Sequence, residues 1–152
     1  MPETSAISLE NLHVMIVDDD PAMLDVLETS LRAVGVRQVT RAISGSEALT
    51  ILRSGGRTVD CTLCDQAMPK GTGLQLLQAI RTGKVKFCRA DASFVLVTSS
   101  TRQSTVEAAR DLDVSGYLVK PVTPAKLKTA ILQARAKAIR VDLAKYEKVM
   151  VL

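Results

Sequence analysis

The stretch Val59-Asp60-Cys61-Thr62-Leu63-Cys64-Asp65-Gln66-Ala67-Met68-Pro69-Lys70-Gly71-Thr72-Gly73 decides how the rest of the chain is read. Val59 to Cys64 is short, β-branched and thiol-rich, the composition of a buried strand. Asp65 stands where the apolar run stops, and Pro69, Gly71 and Gly73 mark a loop after it. A carboxylate at the carboxyl end of a buried strand, under a loop, is a recurrent way to present a reactive oxygen in an α/β fold. The competing reading makes Asp65 the N-cap of the next helix. The residues that end the other strands choose between the two.

Working outward, His13 to Val17 is a continuous apolar run that ends in Asp18-Asp19-Asp20-Pro21. Such a run reads as a strand covered on both faces. Asp20 can N-cap a helix whose first position suits Pro21. Met23, Leu24, Leu27, Leu31 and Val34 then recur at helical spacing up to Gly35. Val36 to Arg41 is a second short strand. Ser44-Gly45-Ser46-Glu47 has the capping-box pattern and opens a helix through Leu52, ended by Gly55 and Gly56. Beyond the opening stretch, Leu74, Leu77 and Ile80 mark a third helix ending near Gly83. Lys84 to Ser93 reads as a polar, basic connection, and Phe94 to Thr98 as the fourth strand. A helix from Thr101 to Leu112 follows, with Arg102, Glu107 and Arg110 solvated. Tyr117 to Lys120 is the fifth strand, and Thr123-Pro124 starts a last helix through Leu127, Ile131 and Ala134. Five strands alternating with five helices, each strand buried on both faces, require a parallel sheet with helices on each side.

Composition narrows the function. At 152 residues the chain accommodates one domain with a sizeable core. Aromatics make up 3% and Trp is absent, which disfavours stacking platforms for single-stranded nucleic acid. The net charge of +4 is dispersed, and no helix-turn-helix pattern appears, so nucleic acid is not the expected partner. No apolar run is long enough to span a membrane, and the N-terminus lacks the pattern of a secretory signal. Three cysteines make no disulfide framework. Cys61 and Cys64, three apart on a strand, face opposite ways and make a poor metal or redox pair. Buried free thiols suit a reducing, cytoplasmic setting.

Asp18 and Asp19 end the first strand, Asp65 the third, Thr98 the fourth and Lys120 the fifth. In a parallel sheet all these carboxyl ends share one edge, and the crevice forms there where the strand order reverses. Two carboxylates about 4 Å apart repel by about 4 kcal/mol at an effective dielectric of ~20, so the site calls for a cation. An all-oxygen donor set suits Mg²⁺. Lys120 adds a fixed positive charge and Thr98 a hydroxyl donor. A carboxylate nucleophile, a metal and two donors are the parts needed for phosphoryl transfer to an aspartate.

These residues lie in four motifs: Val17-Asp18-Asp19-Asp20-Pro21; Cys64-Asp65-Gln66-Ala67-Met68-Pro69 with Gly73; Val97-Thr98-Ser99; and Gly116-Tyr117-Leu118-Val119-Lys120-Pro121. In this order the sequence resembles the receiver domains of two-component response regulators, the CheY-like fold, over residues 11–136. The resemblance implies a doubly wound, flavodoxin-like α/β sheet of strand order 2-1-3-4-5. It implies that Asp65 accepts a phosphoryl group from a histidine kinase or histidine phosphotransfer protein. Asp19, Asp65 and the Ala67 carbonyl would bind Mg²⁺ (or Mn²⁺) directly, and Asp18 through a water. Lys120 would contact the phosphoryl group, and the Lys120–Pro121 peptide is often cis in that family. Thr98 and Tyr117 would be the switch residues. Ala67 and Ser100, two positions after Asp65 and Thr98, would tune dephosphorylation. The chain would catalyse only its own phosphorylation and dephosphorylation, and would report it through the fourth helix, fifth strand and last helix to a downstream protein.

Two other readings compete. A haloacid-dehalogenase-type phosphatase would use Asp18 as nucleophile, Asp20 as acid, Thr98 and Lys120. It would also need a late acidic metal motif, for which only Asp142 and Glu147 remain, and it leaves Asp65-Gln66-Ala67-Met68-Pro69 unexplained. A phosphorylation-independent docking module would not need the full acid set. Outside the receiver lie a polar lead-in, residues 1–10, and a tail, residues 137–152. In the tail Ile139, Leu143, Tyr146 and Met150 fall at helical spacing. The tail is expected either to extend the last helix, packing back or pairing with a second subunit in a homodimer, or to be a mobile amphipathic end. No DNA-binding output domain is expected after the receiver.

Overall fold

The computed structural model describes residues 9–99 and 102–151. Five strands, β1 (His13–Val17), β2 (Gln38–Ala42), β3 (Val59–Asp65), β4 (Cys88–Thr98) and β5 (Gly116–Val119), form one sheet. All neighbouring pairs are parallel, in the order β2-β1-β3-β4-β5. The connecting helices are α1 (Pro21–Ala33), α2 (Gly45–Ser54), α3 (Gly73–Arg81), α4 (Gln103–Asp111) and α5 (Pro124–Ala136), with a short α6 (Leu143–Glu147) after them. The doubly wound architecture read from the sequence is therefore present.

Alternation along the strands divides the core in two. Met15, Val17, Cys64, Phe94 and Leu96 point to the side covered by α2, α3, α4 and α6, where Leu52, Leu77, Ile80, Ala109 and Tyr146 meet them. Val14, Ile16, Leu63, Val95 and Val97 point to the other side, against Leu24, Leu27 and Leu31 of α1 and Leu127 and Ile131 of α5. Cys61 and Cys64 fall on opposite sides, as their spacing requires. Helix starts follow the local chemistry. Asp20 accepts from the Ala22 amide ahead of Pro21, Ser44 accepts from Glu47, and Thr123 accepts from Lys126 ahead of Pro124. Thr72 and Gln75 form a full capping box at α3.

Four boundaries differ from expectation. β2 begins at Gln38, because Gly35 turns at φ 105° and the Val36 amide donates to the Leu31 carbonyl, which closes α1. The lead-in is not wholly polar: Leu9–Asn11 is a 3-10 turn that buries Leu9, and Leu12 is buried after it. β4 reaches back to Cys88, so most of the expected Lys84–Ser93 connection is strand. β5 begins and ends one residue early, with Lys120 just beyond it.

The early part of β4 has a clear cause in Arg81. This guanidinium is fully buried and faces backbone carbonyls: it donates to Ala90 (2.7 Å), Ala92 (2.8 Å), Leu112 (3.1 Å) and Asp113 (2.8 Å). Burial lowers its pKa, an effect opposed by Tyr146 and Asp113 nearby. One side chain thus ties the end of α3 to the start of β4 and to the turn after α4. A charge buried this way is tolerated only when its donors are satisfied.

The tail does not prolong α5. Lys137 is extended at φ −83°, ψ 121°, the helix stops at Ala136, and α6 returns over α3 and α4. Tyr146 is its anchor, fully buried, with its hydroxyl donating to Asp113 Oδ2 at 2.6 Å. Lys145 pairs with the same carboxylate at 3.1 Å, and the Gln78 amide donates to the Tyr146 and Val149 carbonyls. Leu143 and Met150, expected on the same apolar stripe, are exposed; α6 ends at Glu147, so the helical spacing that would align Met150 with Tyr146 is not continued.

Burial pushes the Asp113 carboxyl upward, but the bonds from Tyr146 and Lys145 outweigh it and hold the pKa below the usual value. A depressed acid stabilises the fold above its unfolded pKa and loses that contribution as pH falls through its folded pKa. Tyr146→Ala is expected to cost about 3–5 kcal/mol, as for other emptied aromatic sites. Tyr146→Phe should cost about 1 kcal/mol at neutral pH. The deficit of Tyr146→Phe should shrink once Asp113 is protonated, below the ordinary carboxylate range. Denaturant melts of both variants against pH check the ranking and the sign.

Candidate functional site

The carboxyl edge of the sheet gathers the expected residues. Asp18 follows β1 and is almost wholly buried, its amide donating to the Ala42 carbonyl of β2 (3.1 Å). Its Oδ1 accepts from the Asp20 amide at 2.9 Å, while its Oδ2 is buried with no hydrogen-bond partner among the described residues. Asp65, the last residue of β3, is 8% exposed. Asp19 is exposed beside them. One carboxylate oxygen from each of Asp18, Asp19 and Asp65 lies within 4.8 Å of the other two.

Lys120 enters just after β5, its amide donating to the Thr98 carbonyl at 2.9 Å. Its Nζ stands 3.4 Å from Asp65 Oδ1 and 3.6 Å from Asp18 Oδ2. The Lys120–Pro121 peptide is cis. Burial raises the Asp65 pKa; Lys120 works against this, and Asp18 and Asp19 add to the rise. One ammonium therefore leaves three crowded carboxylates incompletely compensated. An orphaned buried oxygen within an all-oxygen donor set is what a hard divalent cation satisfies.

The loop after Asp65 folds back tightly. The Gln66 carbonyl accepts from the Met68 amide (3.1 Å) and the Gly73 amide (3.3 Å), and the Gln66 side-chain oxygen accepts from Leu74 (2.8 Å). Gly73 has no room for a side chain: a Cβ there would lie 2.8 Å from the Asp65 carbonyl oxygen and 2.7 Å from Leu96 Cδ1. This close approach sets the start of α3 against the backbone of Asp65. A cleft of about 410 Å³ opens beside Asp65, lined by Ala67, Met68, Thr98 and Arg102 among others. Thr98 is buried at the end of β4. Tyr117 lies half-buried against the core on the α4 side, its hydroxyl shielded and without a hydrogen-bond partner among the described residues; burial raises its pKa. Ser100 lies outside the described residues.

Residues 14–132 match the response regulator receiver domain. The chain belongs to that family. Among relatives, the chemotaxis protein CheY of Pseudomonas aeruginosa is 32% identical over 121 residues, 79% of this chain and 93% of that protein. The probable chemotaxis protein CheY of Rhizobium etli is 31% identical over 122 residues, 80% of this chain and 91% of that one. Two solved structures share the receiver fold. Chemotaxis response regulator CheY4 of Vibrio cholerae aligns at TM-score 0.70 and 24% identity, over 81% of this chain and 98% of that one. The CheX-CheY-BeF3-Mg+2 complex from Borrelia burgdorferi aligns at 0.72 and 21%, over 83% and 90%. A receiver domain is a signalling unit rather than an enzyme with turnover on a separate substrate. No helix among the described residues is long and apolar enough to cross a membrane.

Against the phosphatase alternative, Asp20 is occupied as the cap of α1, and Asp142 caps α6 in the tail, apart from the acidic cluster. Every member of the cluster ends a strand in the sequence, whereas Arg102, expected as a solvated helix residue, is exposed and also lines the cleft. Its position, four after Thr98 at the start of the helix leaving the site edge, is the signal that marks it as a cleft residue.

Two outcomes follow from this packing. Gly73→Ala should destabilise by about 1–3 kcal/mol, as overpacking does elsewhere, and urea unfolding measures it. Asp65→Asn, which removes an ionised member of a like-charge cluster, should melt above the wild type at neutral pH in the absence of divalent cation, by differential scanning calorimetry.

Proposed function

We propose that the protein is a phosphorylation-activated switch of a two-component or phosphorelay system, with Asp65 as the phosphoryl acceptor. The observation that carries this reading is the meeting of Asp18, Asp19 and Asp65 within 4.8 Å, with Lys120 Nζ 3.4 Å from Asp65. Residues 11–136 make up the receiver, and residues 137–152 are an appended segment. The donor is a histidine kinase or a histidine phosphotransfer protein. An Asp65 carboxylate oxygen attacks phosphorus, the P–N bond breaks, and its electron pair leaves with the imidazole. Asp19, Asp65 and the Ala67 carbonyl would hold Mg²⁺ or Mn²⁺, with Asp18 acting through a water. The bound cation supplies charge neutralisation for the phosphoryl oxygens.

The chain's own residues do the rest. Lys120, already against Asp65, holds the phosphoryl group as a fixed counter-charge. Thr98 donates its hydroxyl from the end of β4. The product carries about −1.5 to −2 charges where one stood. Contacts from Thr98 and Lys120 of roughly 1.5–3 kcal/mol each then favour the conformation that closes on it. A differential of that size shifts a two-state population by about 10² or more. Tyr117 moves with Thr98, and α4, β5 and α5 carry the change to a downstream protein. Ala67, with only a methyl group, and Ser100 tune the lifetime of the acyl phosphate. Leu143 and Met150, exposed on the tail, are the apolar residues available to a second subunit in a homodimer.

The test is intact-mass measurement after incubation with Mg²⁺ and a phosphoryl donor. The wild type should gain one phosphoryl group, Asp65→Asn none, and Asp18→Asn should gain it more slowly. Chelation should abolish the gain. An adduct that persists in Asp65→Asn, or rapid turnover on phosphate esters, overturns the reading. Mg²⁺ should also raise the melting temperature, by the equivalent of about 2.7 kcal/mol at a hundredfold excess over Kd.

A further inference from the structure

The tail beyond α5 grips one turn of the receiver. Among its described residues Tyr146 alone is buried. The Tyr146 hydroxyl donates to Asp113 Oδ2 at 2.6 Å, and Lys145 Nζ lies 3.1 Å from the same oxygen. Lys137 Nζ donates to the next carbonyl in the chain, that of Val114, at 3.1 Å. Asp113 stands between α4 and β5 at φ 52°, a left-handed conformation that Asp tolerates better than most residues. Its carbonyl is held from inside by Arg81 at 2.8 Å, so the tail supplies the hold on its side chain. Tyr117 follows Val114 by three residues. The other end of the grip is on α3, where Gln78 Nε2 donates to the Tyr146 and Val149 carbonyls, both at 2.9 Å.

We infer that the tail is an autoinhibitory strap: it fastens the α4–β5 turn in the conformation in which Lys120 pairs with the Asp65 carboxylate, and it yields when Asp65 is phosphorylated. The inference rests on the reading above, in which Asp65 is the acceptor and α4 and β5 carry the change. α3 is the fixed end of the strap, because Gly73 sets its start against the Asp65 backbone. The α4–β5 turn is the end that moves. A shift of that turn relative to α3 breaks the bonds to Asp113 and Val114, or pulls Tyr146 out of its seat. Either way the strap contacts belong to one conformation and not to the other, and such a difference is what biases a two-state equilibrium. A segment with a single buried anchor opens locally without unfolding the core. The coupling is reciprocal: the factor by which the docked tail weakens the phosphorylated conformation is the factor by which phosphorylation weakens tail docking.

The experiment uses the full chain with Mg²⁺ and beryllofluoride as the phosphoryl mimic. Hydrogen exchange read by mass spectrometry follows the amides of residues 143–151, and calorimetric titration gives the beryllofluoride affinity. Binding should speed exchange in the tail by about tenfold, within the usual range of coupling between sites, and leave β1 protected. Asp65→Asn should show no such change. Lys145→Ala and Tyr146→Phe each loosen the hold on Asp113 while keeping the aromatic anchor, so the fold survives. Each should tighten beryllofluoride binding, and the double variant by about fivefold, the low end of that range. Tail exchange that does not respond to beryllofluoride overturns the strap and leaves the Asp65 reading untouched. So does an unchanged or weaker affinity in the double variant. A wild type that does not bind beryllofluoride overturns both readings.

Discussion

Like-charge crowding is the constraint around which this molecule is arranged. Three carboxylates converge on one sheet edge, and a single ammonium, that of Lys120, is set against two of them. Left alone such a cluster would spread into solvent. It is held because Asp18 and Asp65 are anchored by strands that cannot move apart: β1 and β3 are hydrogen-bonded neighbours in the middle of the sheet. The hydrophobic stabilisation of two packed faces offsets the electrostatic cost at their end. The same cost makes the site responsive, since any cation or phosphoryl group that changes the local charge changes the balance of the whole edge.

The supports of this edge are backbone contacts more than side-chain ones. Gly73 lets α3 begin against the Asp65 carbonyl, and Gln66 ties the intervening loop back on itself. Lys120 is positioned by its own amide on the Thr98 carbonyl, so the threonine and the lysine share one strand pairing. A displacement of one is therefore felt by the other. On the opposite side of the sheet from α1 and α5, Arg81, Asp113 and Tyr146 join α3, the turn after α4, and α6. The segment beyond the receiver match is thus packed onto the helix that flanks the cleft, through a residue that is completely buried.

Much of this was legible in the chain itself. The strand ends Asp18, Asp19, Asp65, Thr98 and Lys120 could be named because continuous apolar runs stop abruptly at them. The helix starts at Asp20, Ser44 and Thr123 could be named because capping is local chemistry. What escaped were interactions between residues far apart. Arg81 looks like an ordinary last-turn arginine, and nothing near it in sequence shows the four carbonyls it meets. The residues Cys88 to Ser93 look like a loop because their polarity is high; they are strand because β3 pairs with them and Arg81 holds their carbonyls. The tail has helical spacing, yet Lys137 breaks it and, among its described residues, only Tyr146 is buried.

The sequence by itself determined the class of fold, the order of its elements and the identity of the acidic cluster, because periodicity, caps and abrupt strand ends are written within a few residues. Tertiary structure alone decided that Lys120 sits inside the cluster while Arg102 stands at the mouth of the cleft. It alone decided that Arg81 is buried and that the tail returns to α3 and α4. Each of these depends on which distant surfaces meet, and burial and charge compensation are properties of the assembled core rather than of any one stretch of chain.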